Sequence, residues 1–294
     1  MIMCNKLLCY YGSLDSTLLK TRDREWLEGI LTSYSGEELS INIMWNLLDK
    51  IWIELKCDPL VDDLRISKFY QHPVWLLNGM HIETNEQSIK NRREFTNWVK
   101  CFRPKRIADF GGGFGSLGRM IGAECVECSV EIVEPYPFSV AEDLCEQFEN
   151  VSYVPTLTGT YDLIIATDVF EHVDDPIGLL SKTCQHLRKG SRYLIGNCFE
   201  PVILCHLPQT FHFGGSWATV LNSMGLKPVS KIAYAMAYEY TGEVNIQSAR
   251  RYEQFSKYFY SILNPLPRGL EKKILETFVH FVIKYDLLLN RHRA

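Results

Sequence analysis

No stretch of this 294-residue chain reaches 18 apolar residues without a charge, which argues against a membrane-spanning helix. The greasiest segment, Phe278 to Leu289, is interrupted by His280, Lys284 and Asp286. The opening MIMCNKLLCYY lacks a continuous apolar core, so a secretory signal is not expected and a cytoplasmic location is. A dominant charge is missing too: the net charge of -4 leaves no electrostatic footprint for nucleic acid. The one basic gathering, Lys90, Arg92, Arg93 and Lys100, reads most simply as a solvated helix face. Cysteine is plentiful at ten residues, but metal-type spacing is scarce. Cys125-Val-Glu-Cys128 is the only C-x-x-C, and without a second pair no metal site is assigned. Most of the cysteines read as small buried apolar residues. No internal repeat or low-complexity linker divides the chain.

What is present is ample material for a core: 46% hydrophobic and 22% charged residues, the balance of a globular protein. The chain centres on Arg106 to Met120, RIADFGGGFGSLGRM. Arg106 to Phe110 reads as a short buried strand containing Asp109, and Ser116 to Ile121 as a helix start. Glycines between them permit positive φ and let a ligand approach the main chain. The helix start adds unpaired N–H groups. A dinucleotide fingerprint, G-x-G-x-x-G, would need glycine at 116, where Ser116 stands. The spacing here is instead Asp109, Gly111, Gly113, Gly115. Downstream, Ser129 to Val133 alternates and ends in Glu134-Pro135-Tyr136, with the acid 23 residues past Gly111, where a ribose-binding carboxylate belongs. Tyr161 to Val173 then reads YDLIIATDVFEHV.

These three stretches, in this order, resemble motif I, the second acidic motif and motif IV of the class I S-adenosylmethionine (SAM) methyltransferases. The resemblance covers about Ile107 to Ile195 and implies a Rossmann-like α/β sheet. Strands are placed near 106–109, 129–134, 151–154, 161–167 and 192–197, and helices near 116–122, 137–149 and 175–188, the last closed by Lys189-Gly190. Ser216 to Met224 reads as a helix, and Lys227 to Tyr240 as the last two strands. Residues 1–104 form a helical extension or lid, 105–242 the SAM-binding core, and 243–294 a C-terminal helical extension. In the lid, Ser35 to Glu38 has a capping-box pattern before a helix from Leu39 to Leu55. Tyr70 to His81, with Pro73 and Gly79, reads as an ordered loop, and Ser88 to Phe102 as a helix. Ser248 to Leu263 and Leu270 to Leu289 read as helices beyond the core.

The resemblance implies that Asp109, Gly111, Gly112, Gly113, Gly115, Glu134, Pro135, Tyr136, Thr167 and Asp168 border the donor, SAM. The family's usual adenine-reading acid or amide is absent from Val154 to Gly159, leaving backbone, Thr156 or Thr158 for that contact. Tyr70, His72, Trp75 and Arg93 are candidate substrate-lining residues of the lid. Methyl transfer is an in-line displacement that needs alignment and sometimes a base. His172, His206 and His212 are the candidates for that base. Ubiquinone-type O-methyltransferases, which the motif IV region also resembles, allow a divalent ion near Glu171, but no metal is assigned to this chain. The expected activity is methyl transfer to O or N of a small molecule or glycan precursor. Motif IV carries Asp168-Val-Phe-Glu rather than an N/D-P-P-Y/F tetrad, and no Pro-Cys dipeptide exists, which disfavours nucleic-acid methylation. A SAM-binding but inactive regulatory subunit, or an NAD or nucleotide-sugar enzyme, is the rival reading.

Overall fold

The computed structural model describes residues 19–34, 39–61, 64–263 and 274. The capping box at Ser35 to Glu38, the segment Phe278 to Leu289 and, residue 274 apart, the helix expected at Leu270 to Leu289 lie outside the described residues. Among the described residues five helices precede the sheet: α1 (Thr21–Ser33), α2 (Ile41–Glu54), α3 (Leu64–Tyr70), α4 (Pro73–Thr84) and α5 (Glu86–Phe102). The core then runs β1 (Arg106–Phe110), α6 (Ser116–Glu124), β2 (Ser129–Val133), α7 (Ser139–Asp143), β3 (Val151–Val154), β4 (Tyr161–Thr167), α8 (Pro176–Cys184) and β5 (Leu187–Gly196). It closes with α9 (Trp217–Ser223), β6 (Leu226–Ile232), β7 (Ala235–Tyr240) and α10 (Ile246–Leu263).

Among the described residues seven strands form one sheet in the order β3-β2-β1-β4-β5-β7-β6. Pairings from β3 through β5 are parallel, and β7 runs antiparallel to both β5 and β6. This is the Rossmann-like class I methyltransferase sheet expected from the sequence, with its crevice at the carboxyl ends of β1, β2 and β4. The central strands are apolar on both faces because helices cover both: Ile107, Ile164, Ile165 and Leu194 are wholly buried.

Three local readings change. Tyr70 to His81 is not a loop: α4 starts at Pro73, and His72 caps it by accepting the Val74 N–H at 3.1 Å on Nδ1. Proline suits a first helical position, where its missing N–H costs nothing. Gly79 serves close packing rather than a turn, since a Cβ there would stand 2.4 Å from Cβ of Phe114 in the glycine corner. Lys189-Gly190 caps no helix. It lies within β5, where the pairing with β4 shifts register and Gly190 takes φ 89°. The helix expected over 137–149 is regular only as α7.

The N-terminal helices share a core with the sheet. Met44, Leu48, Phe69 and Leu77 pack in one cluster with Phe114, Cys205 and Leu207. Asp49 of α2 accepts the Leu204 N–H at 2.6 Å, pinning the loop after β5 to the N-terminal helices.

Candidate functional site

The glycine corner and the end of β2 meet as their spacing demands. β1 and β2 pair in register, Asp109 with Ile132 and Phe110 with Val133, which brings Gly111 level with Glu134. The Glu134 carboxylate accepts N–H bonds from Gly113 at 3.3 Å and Tyr136 at 3.2 Å. Burial pushes its pKa up, and those two N–H bonds pull it back. Pro135 and the Tyr136 ring stand exposed beside it. Asp109 is 3% exposed, and its Oδ2 accepts the Gly118 N–H at 3.1 Å, tying β1 to α6. Burial raises its carboxyl to about 7, against that stabilising bond and with a smaller push from Glu134.

The glycines divide into two kinds. A Cβ on Gly113 would meet nothing within 4 Å, so this residue faces open space. On Gly115 it would lie 2.5 Å from the Tyr153 hydroxyl, on Gly111 2.7 Å from Val169, and on Gly112 2.8 Å from the Asp109 carboxylate. Those three permit close packing. The Tyr153 hydroxyl donates to the Gly113 carbonyl at 3.0 Å and holds the loop from behind. From α4, Glu83 accepts from the Ser116 hydroxyl at 2.7 Å and pairs with Arg119, which also donates to the Phe114 carbonyl.

At the end of β4, Thr167 leads into Asp168, a non-glycine residue at φ 55°. Tyr234, in the turn between β6 and β7, donates its hydroxyl to Asp168 Oδ2 at 2.8 Å. Asp168 is reached by solvent yet walled round by protein, which is the situation of a group lining an open crevice. That enclosure, with a push from Glu171, raises its carboxyl to about 7, while the Tyr234 bond opposes the rise.

Beyond Asp168 a short 3-10 turn, Phe170–His172, presents Glu171 and His172 to the loop after β5. Glu171 is wholly buried and accepts from Asn197 Nδ2 and the Cys198 N–H, both at 2.7 Å. His172 Nδ1 lies 2.9 Å from the Cys205 carbonyl, and His206 Nδ1 lies 2.7 Å from the Glu200 carbonyl. The two rings meet edge to face with centroids 4.9 Å apart. Burial lowers His172 to about 4 despite Glu171 beside it. One ligand atom from each of Glu171, His172 and His206 falls within 4.8 Å of the others. These side chains therefore fit the divalent ion that the motif IV resemblance admits near Glu171.

The candidates do not all converge. Tyr70 and Trp75 stack on each other and both present edges to His172. His72 is absorbed as a helix cap against Trp26, and Arg93 points to solvent while its neighbour Arg92 is the buried one. His212 packs on Phe213 beneath α10, with Lys257 and Glu253 as its charged neighbours, away from the His172–His206 pair. Thr158 cannot read a nucleobase in the crevice. Its hydroxyl accepts from Arg106 at 3.0 Å, at the amino end of β1. Tyr153, Tyr234 and Glu83 had no signal in the sequence, because each acts only through a contact with a distant segment. Between the N-terminal helices and the motif IV turn lies a cavity of about 270 Å³, walled by Trp52, Tyr70 and His172 and rimmed by Asp58 and Asp174.

Residues 81–209 match a family described as a methyltransferase domain. That region holds the glycine corner, Glu134, motif IV and His206, and the chain's resemblance to class I methyltransferases rests on it. Among solved structures, the chain is similar to one from Nostoc punctiforme, provisionally described as an O-methyltransferase. It has 12% identity and a TM-score of 0.51, over 81% of this chain and 93% of that one. It is also similar to the N-methyltransferase NodS from Bradyrhizobium japonicum, crystallised with S-adenosyl-l-homocysteine. There the identity is 13% and the TM-score 0.43, over 65% of this chain and 99% of that one. Human N-acetylserotonin methyltransferase, in complex with SAM, gives 14% identity and a TM-score of 0.48, over 80% and 74%. No curated protein matches the chain by sequence.

Proposed function

We propose that the chain is a SAM-dependent methyltransferase acting at O or N of a small molecule or glycan precursor. The observation that carries this reading is the meeting of Gly113 and Glu134. An open main-chain surface and a carboxylate stand together at the carboxyl ends of adjacent parallel strands. A ribose diol would share the Glu134 oxygens, and the donor's amino-acid part would run along Gly113 toward Asp168. Pro135 and Tyr136 would border the adenine. The cavity beside His172 and Tyr70 supplies space for an acceptor of modest size.

Enclosure by protein raises the Asp168 carboxyl to about 7, whereas burial lowers His172 to about 4 and makes it the weaker base. Asp168 thus takes the proton when the acceptor has one to lose. Turnover rising through one ionisation near neutral pH checks that role, and a flat profile would assign catalysis to alignment alone.

Calorimetry with SAM, S-adenosylhomocysteine and NAD tests the donor assignment. The first two should bind at one site and NAD should not. A preference for NAD would end the reading. SAM binding with no transfer to any of a broad panel of phenols, amines and sugar nucleotides would favour the regulatory alternative.

A further inference from the structure

The cavity between the N-terminal helices and the motif IV turn leaves one kind of need unmet. Among the described residues no lysine or arginine lines it, whereas Asp58, Asp174 and Asp175 stand at its rim. Asp175 is already answered: it pairs with Arg250 at 2.6 Å and accepts the Gly178 N–H at the start of α8. The other two are not. Asp58 Oδ1 accepts the Leu60 N–H at 2.9 Å, and Asp174 Oδ1 accepts from the Gln209 amide at 2.9 Å. Among the described residues neither carboxylate meets a cation, and the second oxygen of each has no hydrogen-bond partner. Gln209 Nε2 also donates to the Pro59 carbonyl at 2.7 Å, so this side chain ties the two rims together. Both amide N–H bonds are thereby used, and Gln209 Oε1 is buried without a partner among the described residues. The unmet polar atoms at this mouth, two carboxylate oxygens and one amide oxygen, are all acceptors.

Deeper in, the walls are aromatic. Trp52 is buried, and Tyr70 is held by stacking on Trp75 with ring centroids 5.3 Å apart. Glu171 and Glu134 both lie within electrostatic reach of the Tyr70 hydroxyl, so this wall borders the crevice that would hold SAM. Aromatic faces attract cations, and a concave mouth lined by one sign of charge concentrates the field of its carboxylates. We propose that the cavity takes a small molecule carrying an ammonium group, held at the mouth by Asp58 and Asp174, with its apolar body against Trp52 and Tyr70. An ammonium brings three N–H donors and a positive charge, which answers the unmet acceptors and the two uncompensated carboxylates together. A neutral alcohol brings one donor and no charge, and a carboxylate is repelled. Asp58 is half-buried whereas Asp174 is exposed, so Asp58 carries the larger share of the selectivity. This rests on the reading that the cavity takes the methyl acceptor, and it narrows that acceptor to a cationic class.

The test titrates three matched phenols into the full chain by calorimetry, with and without saturating S-adenosylhomocysteine: tyramine, its neutral counterpart tyrosol, and the anion 4-hydroxyphenylacetate. Tyramine should bind about tenfold or more tighter than tyrosol, as a charge-assisted contact requires, and 4-hydroxyphenylacetate more weakly than either. Asp58→Asn removes the charge and keeps an oxygen for the Leu60 N–H. It should weaken tyramine about fivefold or more and tyrosol less than about twofold, with S-adenosylhomocysteine affinity unchanged. Should that variant fail to fold, Asp174→Asn on the exposed rim replaces it, with a loss of about twofold or more expected for tyramine alone. The proposal is overturned if tyramine binds no tighter than tyrosol, if none of the three binds, or if the folded variant keeps the full preference for tyramine. Each of those results leaves the methyltransferase reading standing as long as S-adenosylhomocysteine binds. A chain that prefers tyramine but does not bind S-adenosylhomocysteine would instead sink that reading and keep the cation site.

Discussion

At the scale of single residues, the glycine corner shows that one motif serves two jobs. Gly111, Gly112 and Gly115 are glycine because neighbouring side chains occupy the space a Cβ would need, whereas Gly113 faces nothing within 4 Å. Substitution should therefore separate ligand from fold. Gly113→Val keeps a strained φ of 51°, which costs about 1 kcal/mol or somewhat more but meets no wall. It should fold, melt a few degrees lower and lose SAM affinity by at least tenfold in calorimetry. Normal SAM binding by the valine variant would mean that the donor does not pass this stretch of main chain. The same division explains what the sequence could and could not disclose. Asp109, Glu134 and Asp168 were legible because strand ends and spacing locate them. Tyr153 and Tyr234 reach the site from other segments, and no local pattern marks such contacts.

At the scale of elements, the strands were legible from alternating and fully apolar runs, and most boundaries agree with the sheet. Two of the three misread elements share a cause: glycine and proline act by context. Pro73 opens α4 because His72 caps it, a task usually given to serine, threonine or aspartate. Gly79 sits inside that helix because the corner's Phe114 lies against it. Gly79→Ala tests which effect wins. Alanine gains up to about 1 kcal/mol of helix propensity. Its Cβ would fall 2.4 Å from Phe114, and such overpacking costs about 1–3 kcal/mol. The clash should prevail, giving a net loss of about 1–2 kcal/mol in denaturant unfolding. Because Phe114 belongs to the glycine corner, donor affinity should fall with it. A stabilised variant would show that α4 packs less closely on the corner than the structure places it.

For the whole molecule, the crevice gathers carboxyls that the fold would rather protonate. Asp109 and Asp168 both rise from 3.8 to about 7, chiefly through burial. A raised folded-state pKa means that the native state holds its proton more tightly than the unfolded chain does. That contribution to stability is complete below about pH 4 and is lost as pH climbs toward 7. Asp168 is open to solvent, so Asp109 is the cleaner reporter of this linkage. Asp109→Asn removes the titration and leaves an amide oxygen to accept the Gly118 N–H. Relative to wild type, the variant should therefore gain about 1–2 kcal/mol in unfolding free energy between pH 5.5 and 8, at roughly 1.4 kcal/mol per pH unit while only the folded state is protonated. Denaturant melts of both proteins across that interval measure the gain. If the two curves stay parallel, Asp109 is ionised in the folded state throughout, and the Gly118 bond outweighs its burial.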